Sequence, residues 1–491
     1  MKTKLLAIII AAVLLLGAGA GIGVAIYCNQ PYNVAGNAIL NAFDDLSERD
    51  EIEPIANILT KGSVDFAVNE MKNDDTDLLA GGKFLGKLYF SDKAFMLEDL
   101  LIENDMGKIS GDIYVSDKLA YVSEDEILEN AYGLKYKDIV DELEDSIFAY
   151  GSDSEYAFQD EEEYEKLIKA LECLNDGNFE KDAEKLAKKL AKKAWKIACD
   201  NFEFETENDK VRVGGERENV RVVTITIDGD SMASFAADFY EYLDKDDSVV
   251  KFLEKYEDLL NPVLVNANGI EEGKSVADAY EEYIAEYIEE LDDRCDEIEE
   301  SFTEDVVIKV MTPRTSQKLA KLVVEVGEVE VFDLDIGVDG IKKADRISVT
   351  VLDSKYTYEV KEDNSKEFEC VLKHGDESIK LSLDKKKDKF TLSFNEMNVF
   401  GYDNVKISGD FKSSFGKTTI EIDKFEYDTS YVDYEKYPFE YITETKRIDC
   451  DITIVLDQSD KIPSAPKKYD QISDIMEEDI EKWVSRYFGD E

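Results

Sequence analysis

From Leu5 to Tyr27 the chain is an unbroken, uncharged apolar run, and such a run has one folded solution. Unpaired backbone amides cost several kcal/mol each in hydrocarbon, so the stretch must satisfy them internally as a helix. At about 1.5 Å per residue it reaches roughly 35 Å, enough to cross the ~30 Å core of a bilayer. Lys2 and Lys4 stand at its amino end, and positive flanks stay in the cytoplasm. The expectation is a single-pass protein of the cell membrane, with residues 5–27 spanning, the N-terminus cytoplasmic and the bulk extracellular. Two other fates stay open. Ala18-Gly19-Ala20 suits cleavage as a signal peptide, and Cys28 suits lipid attachment, although bulky Tyr27 fits that site poorly. Gly17/Gly21 and Gly19/Gly23 have the small-xxx-small spacing that lets helices approach closely, or that simply faces lipid.

Behind this run the chain turns acidic: 112 Asp and Glu face 58 Lys and Arg, for a net charge of −54. That field repels phosphate, which disfavours nucleic acid and anionic headgroups as general partners. Five cysteines follow the anchor: Cys173, Cys199, Cys295, Cys370 and Cys450. They are too few, and odd in number, for a disulfide scaffold; Cys370 with Cys450, or Cys173 with Cys199, would pair only if the fold brought them together. No CxxC or CxH spacing occurs, which argues against structural zinc.

Hydrophobic period divides the rest. Residues 1–28 are the anchor, and 29–61 a stalk and a helix with Ile39, Leu40, Phe43 and Leu46 on one stripe, interrupted at Pro54. From 62 to 123 the period is two, as in Val64, Phe66 and Val68, predicting a β meander. Gly86 to Lys93 (GKLYFSDK) recurs as Gly111 to Lys118 (GDIYVSDK), with Ser-Asp-Lys where each hairpin must turn. Residues 124–302 are mainly helical, with a strand pair near 202–227 broken at Gly214-Gly215. Ser275 is a predicted cap, with Asp278 three residues on. A single helix is predicted from Ser275 to Phe302. Residues 303–460 alternate again, as antiparallel strands with one wet face do. Lys406-Ile407-Ser408-Gly409-Asp410-Phe411 echoes Lys108-Ile109-Ser110-Gly111-Asp112-Ile113, which reads either as a duplicated β unit or as convergence of turn-rich sequence. Residues 461–491 end in an amphipathic helix through Ile475, Ile480, Trp483, Val484 and Tyr487. The fold class is α+β: an N-terminal transmembrane helix, a large antiparallel, curved sheet, inserted amphipathic helices and a C-terminal helix.

Catalytic residues do not emerge. His374 is the only histidine and falls at a hairpin tip, where no nucleophile is held against it. A carboxylate pair is diagnosed by separation across a cleft, which spacing in sequence does not give. Two sets of alternating oxygens carry a weak calcium signal: Asn73, Asp75 and Asp77, and Asp333, Asp335 and Asp339 with Gly337 and Gly340. Neither has the full loop pattern that calcium loops use. A lysine-rich helix bearing Lys181, Lys185, Lys188, Lys189, Lys192, Lys193 and Lys196 suits either an acidic surface or the acidic helix just before it, Asp160–Glu172. No catalytic or cofactor-binding residue and no cofactor is assigned.

The order of anchor, meander, inserted helices, long antiparallel sheet and closing helix resembles extracytoplasmic half-barrel proteins of the LolA and LppX-like group, and single-pass surface proteins of Gram-positive type. In the former a curved sheet leaves an apolar hollow for lipid. The resemblance is one of pattern, and no residue is carried over. It implies a non-enzymatic binding or structural module at the cell surface, with an apolar ligand or surface component as partner. An envelope hydrolase with paired carboxylates and a cation-dependent adhesion or assembly module are the alternatives.

Overall fold

A computed structural model describes residues 61–73, 76–77, 82–91, 94–104, 107–124, 131–154, 156–175, 178–261, 274–399, 402–433 and 440–488, with the single positions 31, 34, 35, 38, 39, 42, 57 and 58. The predicted spanning run lies outside these residues. Among them no helix is long and apolar enough to cross a membrane.

In chain order the first strands are β1 (Ser63–Asn73), β2 (Thr76–Asp77), β3 (Lys83–Ser91), β4 (Ala94–Asn104), β5 (Gly107–Ser116), β6 (Leu119–Val122) and β7 (Tyr132–Lys135). Helices α1 (Ile139–Glu144), α2 (Glu161–Asn175) and α3 (Phe179–Asn201) lead to β8 (Glu203–Val213) and β9 (Glu216–Ile227). Helices α4 (Gly229–Lys245), α5 (Ser248–Lys255), α6 (Val276–Glu289) and α7 (Leu291–Ser301) precede β10 (Val306–Pro313), β11 (Lys321–Val326), β12 (Val329–Asp335) and β13 (Arg346–Val351). Then come β14 (Ser354–Asp363), β15 (Glu367–His374), β16 (Glu377–Asp384), β17 (Lys389–Asn395), β18 (Asn398–Val399), β19 (Tyr402–Ser414), β20 (Lys417–Asp433), β21 (Glu440–Asp457) and α8 (Glu477–Phe488). The chain is α+β, and its sheet pairing is antiparallel throughout the ladders described below. It divides into two compact units: Met1–Arg49 with Lys166–Thr357, and Asp50–Glu165 with Tyr358–Glu491.

In the first unit, strands β8 to β13 pair in chain order. Alternation puts Val223, Ile225 and Ile227 of β9 opposite Val310, Ile308 and Val306 of β10, on one face. That face is fully buried. Ala198 and Phe202 from the end of α3, Met232 and Phe235 from α4, and the helical positions Val34, Ala35, Ala38 and Ile39 close over it. Each large side chain so covered contributes about 1.5–3 kcal/mol. Two helices, α4 and α6, start at side-chain caps. Ser275 and Asp278 form a reciprocal capping box, as predicted, and Asp228 and Ser231 form another that the sequence reading missed. The single helix predicted over 275–302 is two pieces, α6 and α7, broken at Glu290. Both pieces pack along α4; Gly229 lies 3.1 Å from Glu299 through the Cβ it lacks. A one-residue break lets each piece follow α4.

In the second unit the ladders give the spatial order β15-β16-β17-β19-β20-β21-β1-β3-β4-β5-β6-β7. The decisive pairing is β1 with β21, which joins strands almost four hundred residues apart. One face is charged and partly covered. On it Tyr89, Met96, Tyr114 and Leu119 are buried against Ile462, Ala465 and Tyr469 from the segment after β21. Asp460 fastens that segment, accepting from Lys87 at 2.6 Å and from the Ser63 hydroxyl at 3.0 Å.

Candidate apolar ligand face

The other face of the second unit's sheet is apolar from strand to strand. Residues directly opposite across an antiparallel ladder share a face. One such row runs Phe368, Leu383, Phe390, Gly409 and Ile422 across β15 to β20. It continues as Ile452, Val68, Phe84, Ile102 and Ile109 from β21 to β5. A parallel row runs Thr418, Leu456, Val64, Leu88, Leu97, Ile113 and Val122 from β20 to β6. Strand spacing of about 4.8 Å makes the long row roughly 43 Å along the sheet.

Burial separates this face from its counterpart in the first unit. There the inward valines and isoleucines are covered by helices. Here Phe84, Ile102, Ile113, Val115, Val122 and Leu372 are each 37–44% exposed, and their neighbours along the rows are mostly only half-buried. Only at one end does the face close: Val405, Tyr427 and Ile448 are buried, with Val399 packed against them and the Tyr402 ring 4.1 Å from that of Tyr427. Contiguous, partly exposed apolar surface across several strands is of the kind that marks an interaction surface.

Along the rows, ion pairs lie on the opposite face, and the Lys446–Glu444 pair joins the apolar face only beyond its closed end. Lys380 pairs with Glu369 at 2.8 Å, Lys389 with Asp410, and Lys424 with Glu426 at 3.4 Å, all at positions alternate to the apolar rows. Cys370 and Cys450 belong to the apolar face, on β15 and β21, five ladders apart, and neither is in a disulfide. Cys199 is in no disulfide either, so neither disulfide left open by the sequence forms. Burial, with smaller contributions from Asp449 and Asp423, pushes the Cys450 thiol up to about 11.

His374 is at the predicted hairpin tip, with Gly375 at φ +58° and Glu377 opposite at 3.7 Å. Asp333 pairs with Lys321 at 2.9 Å through Oδ2, while its buried Oδ1 has no partner among the described residues, and Asp335 accepts from the Gly214 amide at 2.6 Å. Asp75 lies outside the described residues. Among the described residues no three His, Cys, Asp or Glu side chains converge as metal ligands. The lysine helix, α3, sends Lys189 to Asp246 at the end of α4, at 2.6 Å, rather than to the acidic helix preceding it.

What the sequence reading missed is the union of the rows. Each strand's alternation was legible, but the pairing of β1 with β21 that fuses two meanders into one face carries no local signal. No protein-family model matches this chain, and no characterised protein matches it at a significant level.

Proposed function

We propose that this protein is a membrane-anchored, extracytoplasmic binding module that carries the aliphatic chain of a lipid on the apolar face of its larger sheet. One observation carries the reading: a ten-strand row made of apolar side chains and one glycine, buried at Phe390 and Gly409 but partly exposed at its other eight positions, where the first unit's equivalent face is sealed by helices. The rows offer methyl, methylene and ring surface and almost no hydrogen-bonding group. A bound peptide would bring amides and carbonyls needing partners that these rows do not supply. A second copy of this chain would bring another net charge of −54 against the first. An aliphatic chain needs neither partner nor counter-charge. Residues 5–27, as a spanning helix, would hold the module beside a source of such chains.

The test is native mass spectrometry of full-length protein extracted without delipidation. Adducts with masses of lipids, lost after organic extraction and regained on incubation with single-chain lipids, are the expected result. Protein that emerges unliganded, and that takes up no lipid after extraction, overturns the reading.

A further inference from the structure

The apolar face is made of two equivalent halves. In the sheet order, β15-β16-β17-β19-β20-β21 is followed directly by β1-β3-β4-β5-β6-β7, six strands and six strands running in the same chain direction. The sequence echo falls on the fourth strand of each half: Lys-Ile-Ser-Gly-Asp at 406–410 in β19 and at 108–112 in β5. Its glycine has the same surroundings both times. A Cβ on Gly409 would fall on the carbonyl oxygen of Glu421, 2.9 Å from that carbonyl carbon and 3.0 Å from the Cα of Ile422. A Cβ on Gly111 would fall on the carbonyl oxygen of Ser123, 2.9 Å from its carbon and 3.0 Å from the Cα of Glu124. In each half the fifth strand, or the residues just after it, approaches under the glycine, and the ladder to a flanking strand shifts register beside it. An aspartate with positive φ also lies on the third-strand side of each glycine, Asp388 at +54° and Asp99 at +53°. The register shift falls on the fifth-strand side at Gly409 and on the third-strand side at Gly111, but local turn chemistry alone does not reproduce the order and the glycine contacts together.

Resting on the lipid-carrier reading, we infer that each half holds one aliphatic chain, so that the protein carries two single-chain lipids of uncharged or zwitterionic headgroup. Gly409 and Gly111 stand six strand spacings apart, about 29 Å along the sheet. The two chains of one glycerolipid leave adjacent carbons, which favours two separate molecules. The net charge of −54 disfavours an anionic headgroup.

The residues following Gly-Asp, Ile113 and Phe411, face the ligand side in equivalent positions. Delipidated full-length protein is titrated with palmitoyl-lysophosphatidylcholine and read by native mass spectrometry. Wild type should saturate at two adducts, Ile113→Asp and Phe411→Asp at one each, and the double variant at none, with Ile113→Ala and Phe411→Ala retaining two at weaker affinity as folding controls. Saturation of wild type at one, or loss of both adducts in either single Asp variant whose thermal melt matches its Ala control, overturns the two-site inference and leaves the carrier reading standing. If an Asp variant does not fold, its Ala counterpart decides. It must weaken one adduct selectively, and equal weakening of both counts against two sites. No adduct on wild type removes both readings.

Discussion

Two glycines show how a single missing methyl group sets the sheet. At Gly111 and Gly409 the backbone of the neighbouring chain occupies the space of a side chain, so any Cβ must displace main-chain atoms rather than a flexible tip. Gly111→Ala and Gly409→Ala should each destabilise the protein by about 1–3 kcal/mol, the usual cost of forced overpacking. Gly151→Ala, where nothing lies within 4 Å but φ is +80°, isolates the backbone strain alone. Urea midpoints of the three variants check this ordering, and equal losses at all three would refute the packing argument. The glycines were visible in the sequence as members of a repeated motif, but their purpose was not, because the atoms they make room for come from another strand. The cysteines read the same way. Cys450 has no sequence context that distinguishes it, yet burial on the apolar face pushes its thiol up to about 11. Since the thiolate is the nucleophile, iodoacetamide should label Cys450 at pH 8 roughly two hundredfold more slowly than a free thiol of pKa near 8.5, and about tenfold faster for each pH unit up to about 10. Peptide mass mapping over a pH series measures it.

Among elements, hairpins were legible and long-range pairings were not. The turns at Gly214-Gly215 and at Gly375-Asp376 carry positive φ, and glycine announces that locally. By contrast, β1 and β21 each show only that one face is apolar, and nothing in either names its partner. The break at Glu290 was hidden for a related reason: the stripe on α6 and α7 continues in sequence, while the path of α4 beneath it decides where the helix must bend. The segment after β21 is held by contacts that sequence could not pair. Asp460 accepts from Lys87 and Ser63, and the Lys87 ammonium, outweighing partial burial, keeps the carboxyl below the usual carboxylate range. A depressed carboxylate adds stability above its unfolded value and loses it as pH falls through the folded one. The strap should therefore be fully held near neutrality and loosen only in acid, below about pH 4. Asp460→Asn should cost about 1 kcal/mol at pH 7, as a partly exposed pair does, and should flatten this acid dependence. Thermal melts from pH 2.5 to 7 test it. A variant that melts in parallel with wild type at every pH would show the pair to be inert.

Across the whole molecule, two opposing properties coexist: an acidic charge of −54 and a wide apolar face left half-uncovered. Apolar expanses of this kind drive self-association, while like charge on every copy resists it. Which of the two wins depends on screening. At 0.01 M salt the Debye length is about 30 Å and repulsion reaches across an approaching pair; at 0.15 M it is about 8 Å and repulsion acts only near contact. Delipidated protein should thus remain monomeric in dilute buffer and associate progressively as salt is raised. Reloading with lysophosphatidylcholine should abolish the salt-induced species, because the surface that drives it is then occupied. Sedimentation velocity across a salt series, with and without lipid, follows both effects. Association that weakens with salt would point to charge pairing between copies rather than to the apolar face. Association indifferent to lipid would mean that the rows from Phe368 to Ile109 are not the surface that meets it. Composition alone made the repulsion legible. The attraction it opposes becomes visible only when eleven separately unremarkable strands are seen to turn their apolar residues the same way.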